Sequence, residues 1–225
     1  TDIVKYAPGR VFVALFSTNM NRIQMLINAG IKNGRKICFD GRSMLANLEG
    51  AVLNGFVKIP AGAAIPMAQA HKIPDKELLV ITTGAQGEDN SALRRMTQGD
   101  HKHIKLKAQD TAVLSSTPIP TTGNDALIEH LVDDALRRGI HIYQHQTHEI
   151  DKVGPLHVSG HGGRDDYADM IRFTKPKFFL PIMGSYSSKR YHIDVAVENG
   201  LVPFEKCLNA ELGEVIELDQ KSAKV

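Results

Sequence analysis

Val11-Phe12-Val13-Ala14-Leu15-Phe16-Ser17-Thr18-Asn19 sets six apolar residues directly before three polar ones. A continuous apolar run this short, preceded by Gly9, reads as a strand buried on both faces, as the strands of a parallel sheet are. Ser17, Thr18 and Asn19 then offer helix N-caps. Ile23, Leu26, Ile27 and Ile31 follow at helical spacing, and Gly30 and Gly34 mark the end of the helix. The unit is strand, polar turn, helix.

The same unit recurs. Arg35-Lys36-Ile37-Cys38-Phe39 predicts a second strand, and Gly41-Arg42-Ser43 turns into a helix through Leu45, Leu48, Val52 and Leu53. Residues 56–75 carry Pro60, Gly62 and Pro66 and read as an irregular connection. Leu78 to Thr83 is a third strand; Gly84-Ala85-Gln86-Gly87-Glu88 turns into a helix from Asn90 or Ser91 to Met96. Ala112 to Ser116 is a fourth strand, with a helix from Ala126 to Arg138, and Ile140 to Tyr143 is a fifth. Strands alternating with helices argue for an α/β fold with a parallel sheet and helices on both faces. Further on, the sequence predicts a helix over 164–173, a strand over 177–182, a helix around 191–198, an edge strand over 214–218 and a frayed tail from Asp219.

In such sheets the turns after the strands share one edge, where ligands bind. Here that edge gathers Thr18, Asn19, Arg22, Arg42, Gln86 and Ser115, an inventory suited to phosphate oxygens, with Arg the best forked donor. The densest chemistry lies in Leu156-His157-Val158-Ser159-Gly160-His161-Gly162-Gly163. A glycine-rich turn opening a helix can hold an anion on backbone N–H groups. Two imidazoles four residues apart can bind a metal, donate to a phosphate or pass a proton. His141, His145 and His148 form another cluster, and their alternate spacing fits a polar sheet edge better than a metal site.

Composition narrows the classes. The chain has 225 residues, 42% of them hydrophobic and 23% charged, which suits one large α/β domain or one and a half smaller ones. A net charge of +2 gives no global basic field, so a phosphate-binding surface has to be local. With no Trp and 6% aromatics, a single-strand binder built on stacking platforms is disfavoured. Cys38 and Cys207 lie far apart; a buried free thiol in a reducing, cytoplasmic compartment is expected. No apolar stretch approaches the roughly 20 residues of a membrane span, and no signal peptide is visible. The chain starts without Met, as expected of a stretch inside a longer gene product.

Five motifs, in this order, resemble β-CASP metallo-β-lactamase nucleases, and among them ribonuclease J. They are Phe16-Ser17-Thr18-Asn19-Met20-Asn21-Arg22-Ile23, Gly41-Arg42-Ser43-Met44, Thr82-Thr83-Gly84-Ala85-Gln86-Gly87-Glu88, Ser115-Ser116-Thr117-Pro118-Ile119-Pro120 and His157-Val158-Ser159-Gly160-His161. Lys175 to Ile182 fits the family's late strand, and the likeness covers about residues 9 to 218.

The resemblance implies a β-CASP domain over 1–150, followed over 151–225 by the C-terminal part of a metallo-β-lactamase αββα domain. It implies RNA as substrate, cut internally and from a 5′ monophosphate end. It implies two zinc ions whose ligands lie mostly outside this chain, so that the chain alone holds no stoichiometric zinc and is inactive. It also implies dimers or tetramers with ribonuclease J-like subunits. His157, Ser159 and His161 match the family's substrate-phosphate turn, with Gly160 between them, and His161 matches the histidine near the scissile phosphate.

There are departures from the family pattern. Met183 stands where a zinc-ligating histidine is usual, and a thioether is a poor zinc ligand. Asn21 replaces a common His, and Thr18 and Ala85 replace common Ser. Three readings follow: a piece of a zinc-dependent ribonuclease, a catalytically impaired RNA-gripping partner subunit, or an α/β domain for an unrelated phosphorylated small molecule.

Overall fold

A computed structural model describes residues 2–117, 123–144, 156–157, 160 and 162–225. The chain divides into two compact units, Thr1–Val158 and Ser159–Val225.

The first unit is an α/β layer structure. Its sheet consists of β1 (Val11–Ala14), β2 (Lys36–Phe39), β3 (Leu78–Thr82), β4 (Thr111–Leu114) and β5 (His141–Tyr143). The strands are parallel in the order β2-β3-β1-β4-β5. The helices are α1 (Asp2–Tyr6), α2 (Met20–Lys32), α3 (Arg42–Leu53), α4 (Ala92–Gln98) and α5 (Asn124–Arg137).

Continuous apolar strands work here because alternate side chains feed two cores. Phe12, Ala14, Cys38, Leu78, Val80, Ala112 and Leu114 face one side, against Leu93 and Met96 of α4 and Leu131 of α5. Val11, Val13, Ile37, Leu79, Ile81 and Val113 face the other, against Ile23 and Ile27 of α2 and Met44 and Leu48 of α3. Full burial of each large aliphatic side chain stabilises by about 1.5–3 kcal/mol.

The irregular stretch after α3 has a definite job. Val57 still packs with the α2–α3 core, whereas Met67 and Ala70, in a 3-10 turn over Met67–Lys72, pack on the opposite face. Between them Ile37 pairs with the chain at Ala64, with Ile37 N–H donating to Ala63 and Ile65 N–H donating to Ile37. The connection therefore passes round the outer side of β2.

Two buried arginines lock the amino ends of the strands. Arg10 Nε and Nη2 reach both oxygens of Asp110, at 2.8 and 2.5 Å, joining the entrances of β1 and β4. Arg35 donates to the carbonyls of Val4, Ala7, Gly9 and Leu78, so α1 is tied beneath β3.

In the second unit, α6 (Arg164–Thr174) packs on α7 (Tyr186–Glu198) through Ile171 and Ala196, with Val202 completing a small core. The strand expected over 177–182 is reduced to a single bridge, Phe179 to Cys207, although Phe179 donates to Lys206 O and accepts from Leu208 N. Pro176 precedes that run and Pro181 lies within it, neither offering an N–H, and Met183 turns left-handed at φ 68°, so the ladder cannot extend. The edge strand expected over 214–218 shrinks to β6 (Glu217–Leu218). The tail expected to fray instead folds back as β7 (Ala223–Lys224), antiparallel to β6. Asp219 holds that turn, accepting from the N–H groups of Lys221 and Ser222. No helix among the described residues is long and apolar enough to cross a membrane.

Candidate phosphate site

β1 lies between β3 and β4, but its outgoing helix α2 packs on one face of the sheet and the outgoing helix of β4, α5, on the other. The carboxyl ends of β1 and β4 are therefore a topological switch point, where helices diverge and leave a crevice.

Asn19 caps α2, its side-chain oxygen accepting from Arg22 N–H at 3.1 Å. The cap fixes the first turn of α2 and aims Arg22 across the crevice. Arg22 Nη1 donates to Ser115 O, at the exit of β4, at 2.7 Å, and lies 3.0 Å from His157 Nδ1. Ser115 Oγ donates to Leu156 O at 2.8 Å, which moors the segment carrying His157 to the end of β4. A guanidinium only donates, so His157 Nδ1 accepts and the ring carries its proton on Nε2. The arrangement sets an imidazole with its proton on Nε2 beside a fixed positive charge. Partial burial draws Arg22 below the ordinary arginine range, yet arginine stays charged.

The other expected residues divide. Gln86, 2% exposed, acts as an internal clamp: its Nε2 donates to Ser116 Oγ and Thr117 O, and its Oε1 accepts from Asn124. It ties the turn after β3 to the turn after β4. Thr18 is exposed in the turn before α2 and accepts through its carbonyl from Met20 N–H. Gly160 is exposed. Arg42 lines a different depression, at the exits of β2 and β3. Ser159, His161, His145 and His148 lie outside the described residues.

Among the described residues no three His, Cys, Asp or Glu side chains converge as a metal site. They do not supply a ligand set for zinc. Met183 is 88% exposed, two residues before Ser185, the N-cap of α7. His141 on β5 is exposed.

Sequence reasoning found Arg22, Ser115 and His157 separately. It missed Leu156 as the mooring point and Asn47, whose amide donates to Ser17 Oγ at 3.0 Å and braces the turn before α2. The signal for Asn47 was weak: a lone amide on a helix has no local motif.

Residues 8–135 match the family model "Ribonuclease J, beta-CASP domain". The chain is 33% identical to Ribonuclease J 1 of Streptococcus pyogenes over 223 residues, 99% of this chain and 38% of that protein. It is 37% identical to Ribonuclease J of Helicobacter pylori over 217 residues, 96% of this chain and 30% of that protein. It is 33% identical to Ribonuclease J2 of Bacillus subtilis over its whole length, 39% of that protein. The chain thus spans well under half the length of these curated relatives.

Proposed function

The chain belongs to the ribonuclease J family, matching its β-CASP domain, and from that premise we propose that it is the substrate-gripping part of an RNA-cutting enzyme. The observation that carries the reading is the Arg22–Ser115–His157 arrangement at the switch point of the sheet. Arg22 supplies charge and His157 Nε2–H supplies an oriented donor, the two elements a phosphate oxygen needs. Ser159, Gly160 and His161 follow directly in the chain. In this reading they belong to the substrate-phosphate turn that the resemblance implies, with His161 matching the family's histidine near the scissile phosphate.

In this reading residues 1–150 are the β-CASP domain and residues 151–225 the return segment of a metallo-β-lactamase domain. Zinc-dependent cleavage of the whole protein draws, in this reading, on ligands outside this chain. RNA as substrate, a cytoplasmic location and assembly with ribonuclease J-like subunits belong to the same proposal.

A second reading is favoured by Met183. An exposed thioether on a left-handed residue, where the resemblance places a zinc-ligating histidine, suits an RNA-gripping subunit with weakened catalysis.

The test is binding of a 5′-phosphorylated RNA oligomer to the chain and to its His157→Ala and His161→Ala variants. Loss of about tenfold or more in affinity is expected for each, as charge-assisted hydrogen bonds are worth about 1.5–3 kcal/mol. Unchanged affinity in both removes the phosphate-turn reading.

A further inference from the structure

Two strand spacings along the carboxyl edge from the β1–β4 crevice, about 10 Å at roughly 4.8 Å per strand, lies a second depression. It opens at the exits of β2 and β3 and has a volume of about 1090 Å³. Arg42, Arg95, Lys102 and His103 line it, together with Asp40 and His101.

Its walls are built rather than incidental. Gly41 holds φ 107° at the exit of β2, and a Cβ there would come within 2.7 Å of Thr83 Oγ1. Only glycine lets the chain turn this tightly over β3 and deliver Arg42 to the rim. On the opposite wall the carbonyl of Arg95, in α4, accepts from the N–H groups of Gly99, Asp100 and His101, which reverses the chain. His101, 6% exposed, then rivets the returning loop. Its Nδ1 accepts from His103 N–H and Ile104 N–H, each at 3.3 Å, so its proton is on Nε2, which donates to Asp40 Oδ2 at 3.1 Å. The rivet leaves Lys102 and His103 exposed.

The electrostatics are one-sided. Arg42, Arg95 and Lys102 are exposed, and among the described residues none forms an ion pair with a carboxylate. The neighbouring Arg94, by contrast, is buried and turned toward Asp134 of α5, at 3.9 Å. The one carboxylate in the lining, Asp40, is engaged by His101. Three cations around one opening repel each other and attract anions into it.

We propose that this depression is a second anion subsite, distinct from the crevice, that holds a backbone phosphodiester of a single-stranded polynucleotide whose other phosphate occupies the Arg22–His157 crevice. The proposal rests on the crevice reading for its orientation along the edge. Arg42 and Arg95 supply guanidinium donors, Lys102 a mobile charge, and the His101–Asp40 rivet keeps the Lys102 wall in place. Since the contacts are to backbone, the subsite adds affinity and salt dependence without base preference.

The test compares two probes, a 5′-phosphorylated dinucleotide and a roughly ten-nucleotide 5′-phosphorylated RNA, within the site sizes typical of single-strand binders. Affinities are measured over a range of salt for the chain, for the Arg95→Gln/Lys102→Gln double variant and for His157→Ala. The changed side chains are exposed, and circular dichroism checks the fold. For the double variant the longer RNA is expected to bind about tenfold or more weakly, with a log–log salt slope shallower by about 0.7 for the one phosphate contact given up, while the dinucleotide binds as before. An unchanged slope and affinity for the longer RNA overturn the subsite. Equal loss for both probes overturns its separateness from the crevice. If His157→Ala leaves both probes unaffected while the double variant weakens the longer RNA, the crevice reading fails and the second subsite stands.

Discussion

Arg22 Nη1 stands 3.0 Å from His157 Nδ1, across 135 positions of sequence. Since arginine cannot accept, this contact decides which nitrogen of His157 carries the proton. Arg22 is thus a positioning residue as well as a charge.

Replacing Arg22 with Ala removes the donor that holds Nδ1 as an acceptor, so the Nδ1-protonated tautomer should gain population. The measurement is histidine ¹⁵N chemical shifts in the chain and in Arg22→Ala. The native ring should show its proton on Nε2, and the variant a mixture. A native His157 protonated at Nδ1 would sink the assignment. A loss of one charged donor to Ser115 O should also cost about 1.5–3 kcal/mol of stability.

Cys38 should be chemically silent in the folded chain. Burial, with the nearby Asp40 carboxylate adding to it, pushes its thiol up to about 12. At pH 8 the thiolate is then only about one part in ten thousand, and the thiolate is the reactive form. A disulfide reagent should titrate the half-buried Cys207 first and Cys38 only on unfolding in urea. Two rapidly reacting thiols in the native chain would contradict the buried β2 environment.

The second unit should weaken in mild acid. His192 packs against Tyr167 and Phe179, with ring centroids 4.7 and 5.0 Å away, and burial lowers its pKa below the ordinary 6.5. A histidine with a depressed folded pKa binds protons more readily when unfolded. Its contribution is complete above about 6.5 and declines as pH falls through that value toward the folded pKa. Thermal melts followed at the second unit should shift down as pH falls below about 6.5. His192→Phe should flatten that slope relative to the native chain; an identical slope in both would remove His192 as the cause.

How much of this was readable beforehand depends on range. The strands of the first unit were legible because Val11–Ala14, Lys36–Phe39 and Leu78–Thr82 must be apolar on both faces, a pattern contained within each segment. The start of α2 was legible because Ser17, Thr18 and Asn19 are cap residues; the structure chose Asn19. Strand order was not legible, since nothing local says that β3 enters between β2 and β1. In the sequence Arg35 reads only as the start of the second strand, and its four carbonyl partners come from two distant stretches, residues 4–9 and Leu78. The run at 177–182 misled because apolar content cannot reveal that a single partner residue is available. Of the candidate site, the residue types were visible and their grouping was not: Arg22 and Arg42 share an edge but serve different openings, and Gln86 faces inward.

The detour around β2 has a consequence for behaviour in a crowded cell. An open parallel sheet ends in unsatisfied peptide groups that can template strands from other molecules. Here Ile37 spends both its N–H and its carbonyl on Ala63 and Ile65, and at the far side β5 is only three residues long. Among the described residues the sheet therefore offers little to an incoming strand at either end. It is self-terminating there, which lets the layer stay discrete instead of nucleating fibrous growth.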